Sequence, residues 1–357
     1  HMSGIRFLSL AEQVAEYLRG ELTGGRWTVA MPGKHRLAEE LEVNNKTVET
    51  ALRQLEAEGV LVAQGRGRKR LIRLPENLAP PSLRVAILVL EPCDLMQDYQ
   101  VALRHELVQA GHHAYDAPLT LMECGMDLKR IQRMVGETEA DAWVVTAASI
   151  EVLEWFSGGE TPAFALFGRR RGLPIAGAGP DKLAGMSAAT KALIDHGHER
   201  IVLLARRVRR LPEPGAAERA FLNELAAHGI APGSYHLPDW EESINGFYDR
   251  LESLFRVTPP TALIVDEAPF FVAAFQFCAN RGLRVPGDVS LVCTDSDPDF
   301  DWCRPSVAHI HWDSGPVVRR IVRWAANVSR GKADLRQTLT PAKFVPGGTI
   351  GPAKRGA

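Results

Sequence analysis

From Arg84 onward, short apolar runs alternate with amphipathic stretches, and few chain arrangements satisfy that pattern. "RVAILVL" at 84–90 opens the series, and 141–146, 163–167, 200–205, 261–265 and 289–293 repeat it. Between and after them, 97–110, 126–136, 181–196, 216–228, 241–255, 268–281 and 314–330 place apolar residues at helical spacing. Strand–helix alternation predicts an α/β fold with parallel sheets and helices on both faces. The length suits two lobes. At seven residues, the first run is a strand, too short to cross a bilayer.

Residues 1–73 read differently. Leu10, Val14, Tyr17, Leu18 and Leu22 share a helical face over 8–22, and Gly24-Gly25 ends it. A second helix carries Leu37, Ala38 and Leu41 inward. A third runs from Asn45 to Glu58 with Val48, Ala51, Leu52 and Leu55 inward, and Gly59 closes it. "VLVAQGRGRKRLIRL" reads as a hairpin turning on its glycines. Three helices and a hairpin predict a winged helix-turn-helix. The 74–83 segment, with three prolines, is an extended linker to the body at 84–351.

Within "EELEVNNKTVETALRQLEAEGVL", Asn44 is the N-cap of the third helix. Asn45, Lys46 and Thr47 fill its first turn, away from the apolar stripe. Asn can pair with adenine N6 and N7, Lys with guanine, and Thr with a phosphate or a thymine methyl. A recognition helix enters the major groove by this end, whose N–H groups also favour phosphate. Taken alone, the cluster reads equally as a solvated helix start. Arg66, Arg68, Lys69 and Arg70 crowd the hairpin beside it, as a phosphate or minor-groove clamp would. Net charge is −1 over the chain, whereas residues 1–75 carry a balance of +3.

"MPGKHRLAEELEV", "KTVETALRQLEAEGVL" and the glycine-bearing wing resemble the GntR-type winged helix across nearly all of 8–73. The resemblance implies DNA contacts from Lys34, His35 and Arg36. That family's Ser-Glu-Arg falls on Gly33, Lys34 and His35, so its usual contacting Arg is His35 here. Its Ser-Arg pair at the recognition helix falls on Asn44-Asn45, and these departures leave the operator sequence open.

"DKLAGMSAATKALIDHGHERIVLLA", "PTALIVDEAPFFVAAFQFCANRGLRVPGDVSLVCTDSD", "RPSVAHIHWD" and "PAKFVPGGTIG" resemble the LacI/GalR-type effector domain over most of 84–351. A GntR-type head on such a body is similar to arabinose-type repressors. The resemblance implies a type I periplasmic-binding-protein-like fold: two lobes, three crossovers and a small molecule between them. Lobe 1 is expected at about 84–177 and 312–335, lobe 2 at about 178–308 and 338–351. Ligands in open α/β sheets settle at the carboxyl ends of strands.

The family's strand-end Asp falls on Asp295, which reads as a ligand contact or a turn cap. Asp266 and Glu267 lie at a strand end, to bond hydroxyls, meet a cation or cap the next helix. Trp240 matches a pocket-lining aromatic position, or is structural. The family's sugar-binding Arg falls on Ala217, with Arg219 two residues away. The Glu91–Asp94 loop and Arg169-Arg170-Arg171 are candidates from lobe 1. For the arginines the alternatives are an anionic ligand or plain surface decoration.

Five cysteines without a CxxC pair argue against structural zinc and for a reducing cytosol. "HELVQ" misses a zinc motif by its last residue, and His309 and His311 are a solitary HxH. No P-loop, GxSxG or nucleophile–base constellation stands in context. The expectation is therefore a cytoplasmic, homodimeric, non-enzymatic transcription regulator without metal or cofactor. It is expected to be a repressor binding operator DNA and a sugar-like effector, with no membrane association. The alternative is a DNA-binding regulator whose body is a protein-interaction platform with a degenerate pocket.

Overall fold

The computed structural model describes residues 8–65, 67–74 and 81–354. Arg66 and most of the proline-rich linker lie outside them. The head comprises helices α1 (Leu10–Thr23), α2 (Lys34–Glu40) and α3 (Asn45–Ala57), then strands β1 (Leu61–Val62) and β2 (Leu71–Ile72). Ser9 and Glu12 form a reciprocal capping box on α1. Val14, Leu18, Leu22, Leu37, Val48, Leu52 and Leu55 close one small core. Leu10 and Tyr17, expected inward, are 53% and 46% exposed. Leu10 sits in the first turn, and the Tyr17 hydroxyl turns out to meet Arg26. β1 and β2 pair antiparallel, and the Val29–Met31 backbone bonds alongside β2.

The body alternates as the apolar pattern predicts. Lobe 1 contains β3 (Arg84–Leu88), α4 (Asp98–Gln109), β4 (His113–Asp116), α5 (Leu128–Glu137), β5 (Ala142–Thr146), α6 (Ile150–Ser157), β6 (Ala163–Leu166) and β7 (Ala176–Asp181). Lobe 2 contains α7 (Leu183–Asp195), β8 (Ile201–Leu204), α8 (Arg207–Arg210), α9 (Ala216–Ala227), α10 (Ile244–Val257), β9 (Ala262–Val265), α11 (Ala268–Asn280), β10 (Ser290–Cys293) and β11 (Ala308–Trp312). Helix α12 (Gly315–Ser329) returns to lobe 1, and β12 (Gln337–Val345) serves both lobes.

The strand order is β4-β3-β5-β6-β7-β12-β11-β10-β9-β8. All pairs are parallel except β11–β12. β12 pairs with β7 through Gln337–Pro341 and with β11 through Ala342–Val345, so the sheet passes from one lobe to the other along a single strand. Each lobe buries apolar side chains on both faces of its sheet, Phe164 and Trp143 in one and Phe247 and Phe221 in the other.

β4, β7, β12, α6 and α8 lie outside the predicted elements. In β7, "AGAGPD" has no apolar alternation because Arg170 lies across it. A Cβ on Gly177 would sit 2.3 Å from the Arg170 Cδ, so the strand must be bare there.

Candidate DNA-binding face and interlobe cleft

The Asn44 side chain accepts from the Thr47 N–H (2.8 Å) and hydroxyl (3.0 Å). The cap therefore occupies its carbonyl oxygen and leaves the amide donors outward. Asn45 and Lys46 are exposed on the first turn. Lys34, His35, Arg36, Arg68 and Lys69 are exposed too, on α2 and the wing. Lys34 makes one long ion pair, 3.9 Å to Glu49. Arg70 differs from its neighbours: it bonds Glu49 (2.9 Å) and Glu56 (2.5 Å), tying the wing to α3. Burial would raise Glu49, but Arg70, Lys34 and Arg53 hold it below the usual carboxylate range. The face thus has a braced frame, and at its rim Arg36, Lys46, Arg68 and Lys69 have no ion pair among the described residues.

The second candidate site lies where the carboxyl ends of the strands of both lobes meet. Arg206, just after β8, is 2% exposed at its side chain. Its guanidinium bonds Glu91 of lobe 1 at 2.7 and 3.0 Å, Glu242 at 2.7 Å and Glu267 at 2.7 Å. It also lies 4.6 Å over the ring of Phe270. Glu91 is held low by these hydrogen bonds against its burial. Burial and the neighbouring Asp266 push Glu267 up against the pull of Arg206.

Beside it, Arg209 meets Asp266 at 2.9 Å. Asp266 also accepts from Thr294 at 2.6 Å and from the Arg206 N–H. Burial pushes Asp266 up, and Arg209 and Lys182 outweigh it and hold it low. Lys182 bonds Asp295 at 2.8 Å, and the indole N–H of Trp312 donates to the same oxygen at 3.2 Å. Tyr99 and Trp312 each pack edge-on against Phe167 at 5.6 Å, and lie tilted to each other at 6.2 Å, around this corner. Ala147, Phe167 and Glu267 take positive φ of 54°, 63° and 60° in the turns after β5, β6 and β9. Left-handed backbone without glycine costs about 1–3 kcal/mol per residue and gathers at functional sites.

Of the residues singled out in the sequence, Asp94, Asp266, Glu267 and Asp295 converge here. Asp94 turns back to accept from the Glu91 N–H at 2.9 Å, and its burial pushes it up. Arg169 also joins, as a strap: it donates to the carbonyls of Val208 and Arg209 (2.9 and 2.8 Å) and of Glu213 in lobe 2. Arg170 is buried on β7 without an acidic partner among the described residues, its pKa lowered by burial to about 10. Surface decoration is thus corrected for both.

Two residues stand apart. The Arg219 guanidinium faces the outside of α9, bonding the Pro214 carbonyl at 2.5 Å. Trp240 is 5% exposed in the lobe 2 core, with its indole N–H on the Ala205 carbonyl and its ring against Phe247 and Phe270. It supports Phe270 from behind and does not line the cleft. Glu267 stands at the N-cap position of α11 but makes no side-chain cap bond.

Sequence reasoning passed over Tyr99, Lys182, Arg206, Arg209 and Glu242. "ARRVRR" directly after an apolar strand was the available signal. Among the described residues no group of His, Cys, Asp and Glu is arranged to hold a metal, and no helix is long and apolar enough to cross a membrane. Two shallow hollows, about 450 and 440 Å³, lie at the outer edges of the sheet, by His112–Tyr115 and by Gly229–Tyr235. In the cleft Arg206 is buried among its carboxylates, and Arg209, Glu91, Glu267 and Asp295 stay partly exposed.

Residues 10–70 match the model of the bacterial regulatory proteins of the gntR family, and 190–350 match a periplasmic binding protein-like domain. The chain is 28% identical over 141 residues to the HTH-type transcriptional repressor PurR of Pasteurella multocida, covering 38% of this chain and 40% of that one. It therefore spans less than half of that relative. A LacI family transcriptional regulator from Enterococcus faecium with bound ribose superposes with a TM-score of 0.61 at 14% identity, over 76% of this chain and 99% of that one. The lac repressor dimer bound to operator and an anti-inducer superposes with a TM-score of 0.60 at 17% identity, over 78% and 99%. The chain thus joins a head that matches the gntR model to a body that matches the periplasmic binding protein-like model, with the fold seen in LacI family regulators of known structure.

Proposed function

We propose that this protein is a cytoplasmic, homodimeric transcription repressor that releases its operator when a small molecule alters the interlobe cleft. The observation that carries the reading is the pairing of a capped, outward-facing first turn of α3 with a two-lobed body whose charged groups converge between the lobes. Asn45 and Lys46 read base edges from the major groove, and Thr47 stays near the backbone with Asn44. Arg68 and Lys69, with Lys34, His35 and Arg36, hold phosphates. Two heads carried by a symmetric dimer read two half-sites. Coupling between cleft and head of about 1–3 kcal/mol suffices to change occupancy severalfold or more. The lac repressor dimer of similar fold, bound to operator, supports the dimeric arrangement.

Selection from a random duplex pool tests this. The full-length protein should enrich a site of two-fold symmetry, and Lys46→Ala should lose it. No preference for any duplex over random DNA, in any ligand state, would overturn the reading.

A second reading keeps the DNA-binding head and makes the body a protein-interaction platform. The pairing of Arg206 and Arg209 with the cleft's own carboxylates favours it. Thermal shift on the native chain and Asp295→Ala separates the two, since only an effector site yields compounds whose effect vanishes in the variant.

A further inference from the structure

The two lobes are joined across the cleft by the chain's own side chains, at two separate points. At the first, Arg206 commits all five of its N–H donors to carboxylates. Three go to Glu242 and Glu267 of lobe 2, and two go to Glu91 of lobe 1. The lobe 2 acids and the Phe270 ring hold the guanidinium in place. Glu91 completes the set as a bidentate fork at 2.7 and 3.0 Å. Glu91 is itself fixed, because the Asp94 carboxylate accepts its backbone N–H at 2.9 Å.

At the second point, Arg169 leaves lobe 1 from the loop after β6. Phe167 and Gly168, left-handed at φ 63° and 72°, turn the backbone just before it. Its guanidinium donates to the carbonyls of Val208 and Arg209 at 2.9 and 2.8 Å and to that of Glu213. The receiving segment is braced on lobe 2. Arg210, 3% exposed at its side chain, bonds the Ala205 carbonyl and Asp239 at 2.9 Å each, and the Arg207 N–H donates to Glu242 at 2.7 Å. Two loops of lobe 1 thus grip one rigid stretch of lobe 2.

We propose that these contacts form a built-in latch, in which Arg206 acts as a tethered ligand and holds the cleft closed with no effector bound. A guanidinium with every donor on an acid and an aromatic face beside it is seated as a bound small molecule would be. Because the backbone delivers it, its effective concentration at Glu91 does not depend on anything in solution. Parting the lobes breaks both bonds of Arg206 to Glu91 and all three of Arg169. An effector that takes Glu91 must displace Arg206, so its binding loosens the lobes and does not draw them together.

The test needs neither operator nor effector, so a failed search for an operator leaves the latch standing. Small-angle scattering and hydrogen exchange are recorded on the full-length chain and on Glu91→Gln and Arg169→Ala. The native chain, without additives, should keep the amides of 89–95, 167–171 and 205–213 protected. Each variant should enlarge the radius of gyration. Each should also raise exchange about tenfold or more in the lobe 1 loop that its own residue does not belong to, 167–171 for Glu91→Gln and 89–95 for Arg169→Ala. Should Glu91→Gln fold poorly, Arg169→Ala, which strands no carboxylate, carries the same comparison. A rise confined to 205–213, or a radius unchanged in both variants, overturns the proposal. So does a native chain whose cleft loops exchange as fast as those of the variants.

Discussion

The head and the cleft are both rich in charge, and they use it in opposite ways. Around the first turn of α3, Lys46, Arg68 and Lys69 stand exposed with no carboxylate opposite them among the described residues. Between the lobes, Arg206 is buried and holds three carboxylates from two lobes. An exposed cation without a partner keeps its charge for something outside the molecule, where phosphate supplies the return. A buried cation with partners fixes a conformation, because removing either member leaves the other uncompensated. Exposure and pairing thus separate a surface whose cations face outward from one whose charges hold two lobes together.

Four measurements break or sharpen that contrast. The largest effect is expected from Arg206→Ala, which strands Glu91, Glu242 and Glu267. A loss of about 3–5 kcal/mol should lower Tm in calorimetry by several degrees or more. An unchanged Tm would mean that the cleft charges hold nothing. Next is Lys46→Ala. It should weaken operator binding by about 1–3 kcal/mol in fluorescence anisotropy while leaving Tm alone, and a phosphate role would also reduce the salt slope by about one.

Third is Arg169→Ala, which removes the strap to the 208–213 segment. About 1 kcal/mol is at stake per carbonyl contact, and hydrogen exchange should rise in α8 and the turn after it. The smallest effect concerns His198, buried in lobe 2 on Thr261 (2.9 Å), Ser290 (3.0 Å) and the Gly351 carbonyl (2.9 Å). Burial holds its pKa below the ordinary 6.5. Its contribution is therefore complete above about pH 6.5 and is lost as pH falls through the folded value. Tm should decline over that window, and His198→Gln should show a shallower decline.

Much of the fold is legible because apolar period and caps act locally. Asn44 caps α3 as a helix start demands, and the apolar runs of β3, β5, β6, β8, β9 and β10 fall where strands form. β7 and β12 are not legible, because neither is made by its own pattern. β7 is bare to admit Arg170, and β12 is partly polar with Pro341 in its middle, formed by the strands on either side of it. The cleft divides the same way. Strand-end acids at 266, 267 and 295 announce themselves by position. Arg206 and Glu91 lie 115 residues apart in the chain, and no local rule joins them. Arg219 and Trp240 misled because a position borrowed from relatives carries no information on which way a side chain turns here.

β12 serves as the common axle of the body. Because its first five residues belong to one lobe and its last four to the other, a twist of one lobe against the other loads the bond between Pro341 and Ala342, beside the two crossings at 181–183 and 312–315. Two bodies threaded on one axle can swivel but cannot drift apart. An extra residue spliced in at that bond would turn every following side chain of the strand over, leaving each lobe sound and the pair out of phase.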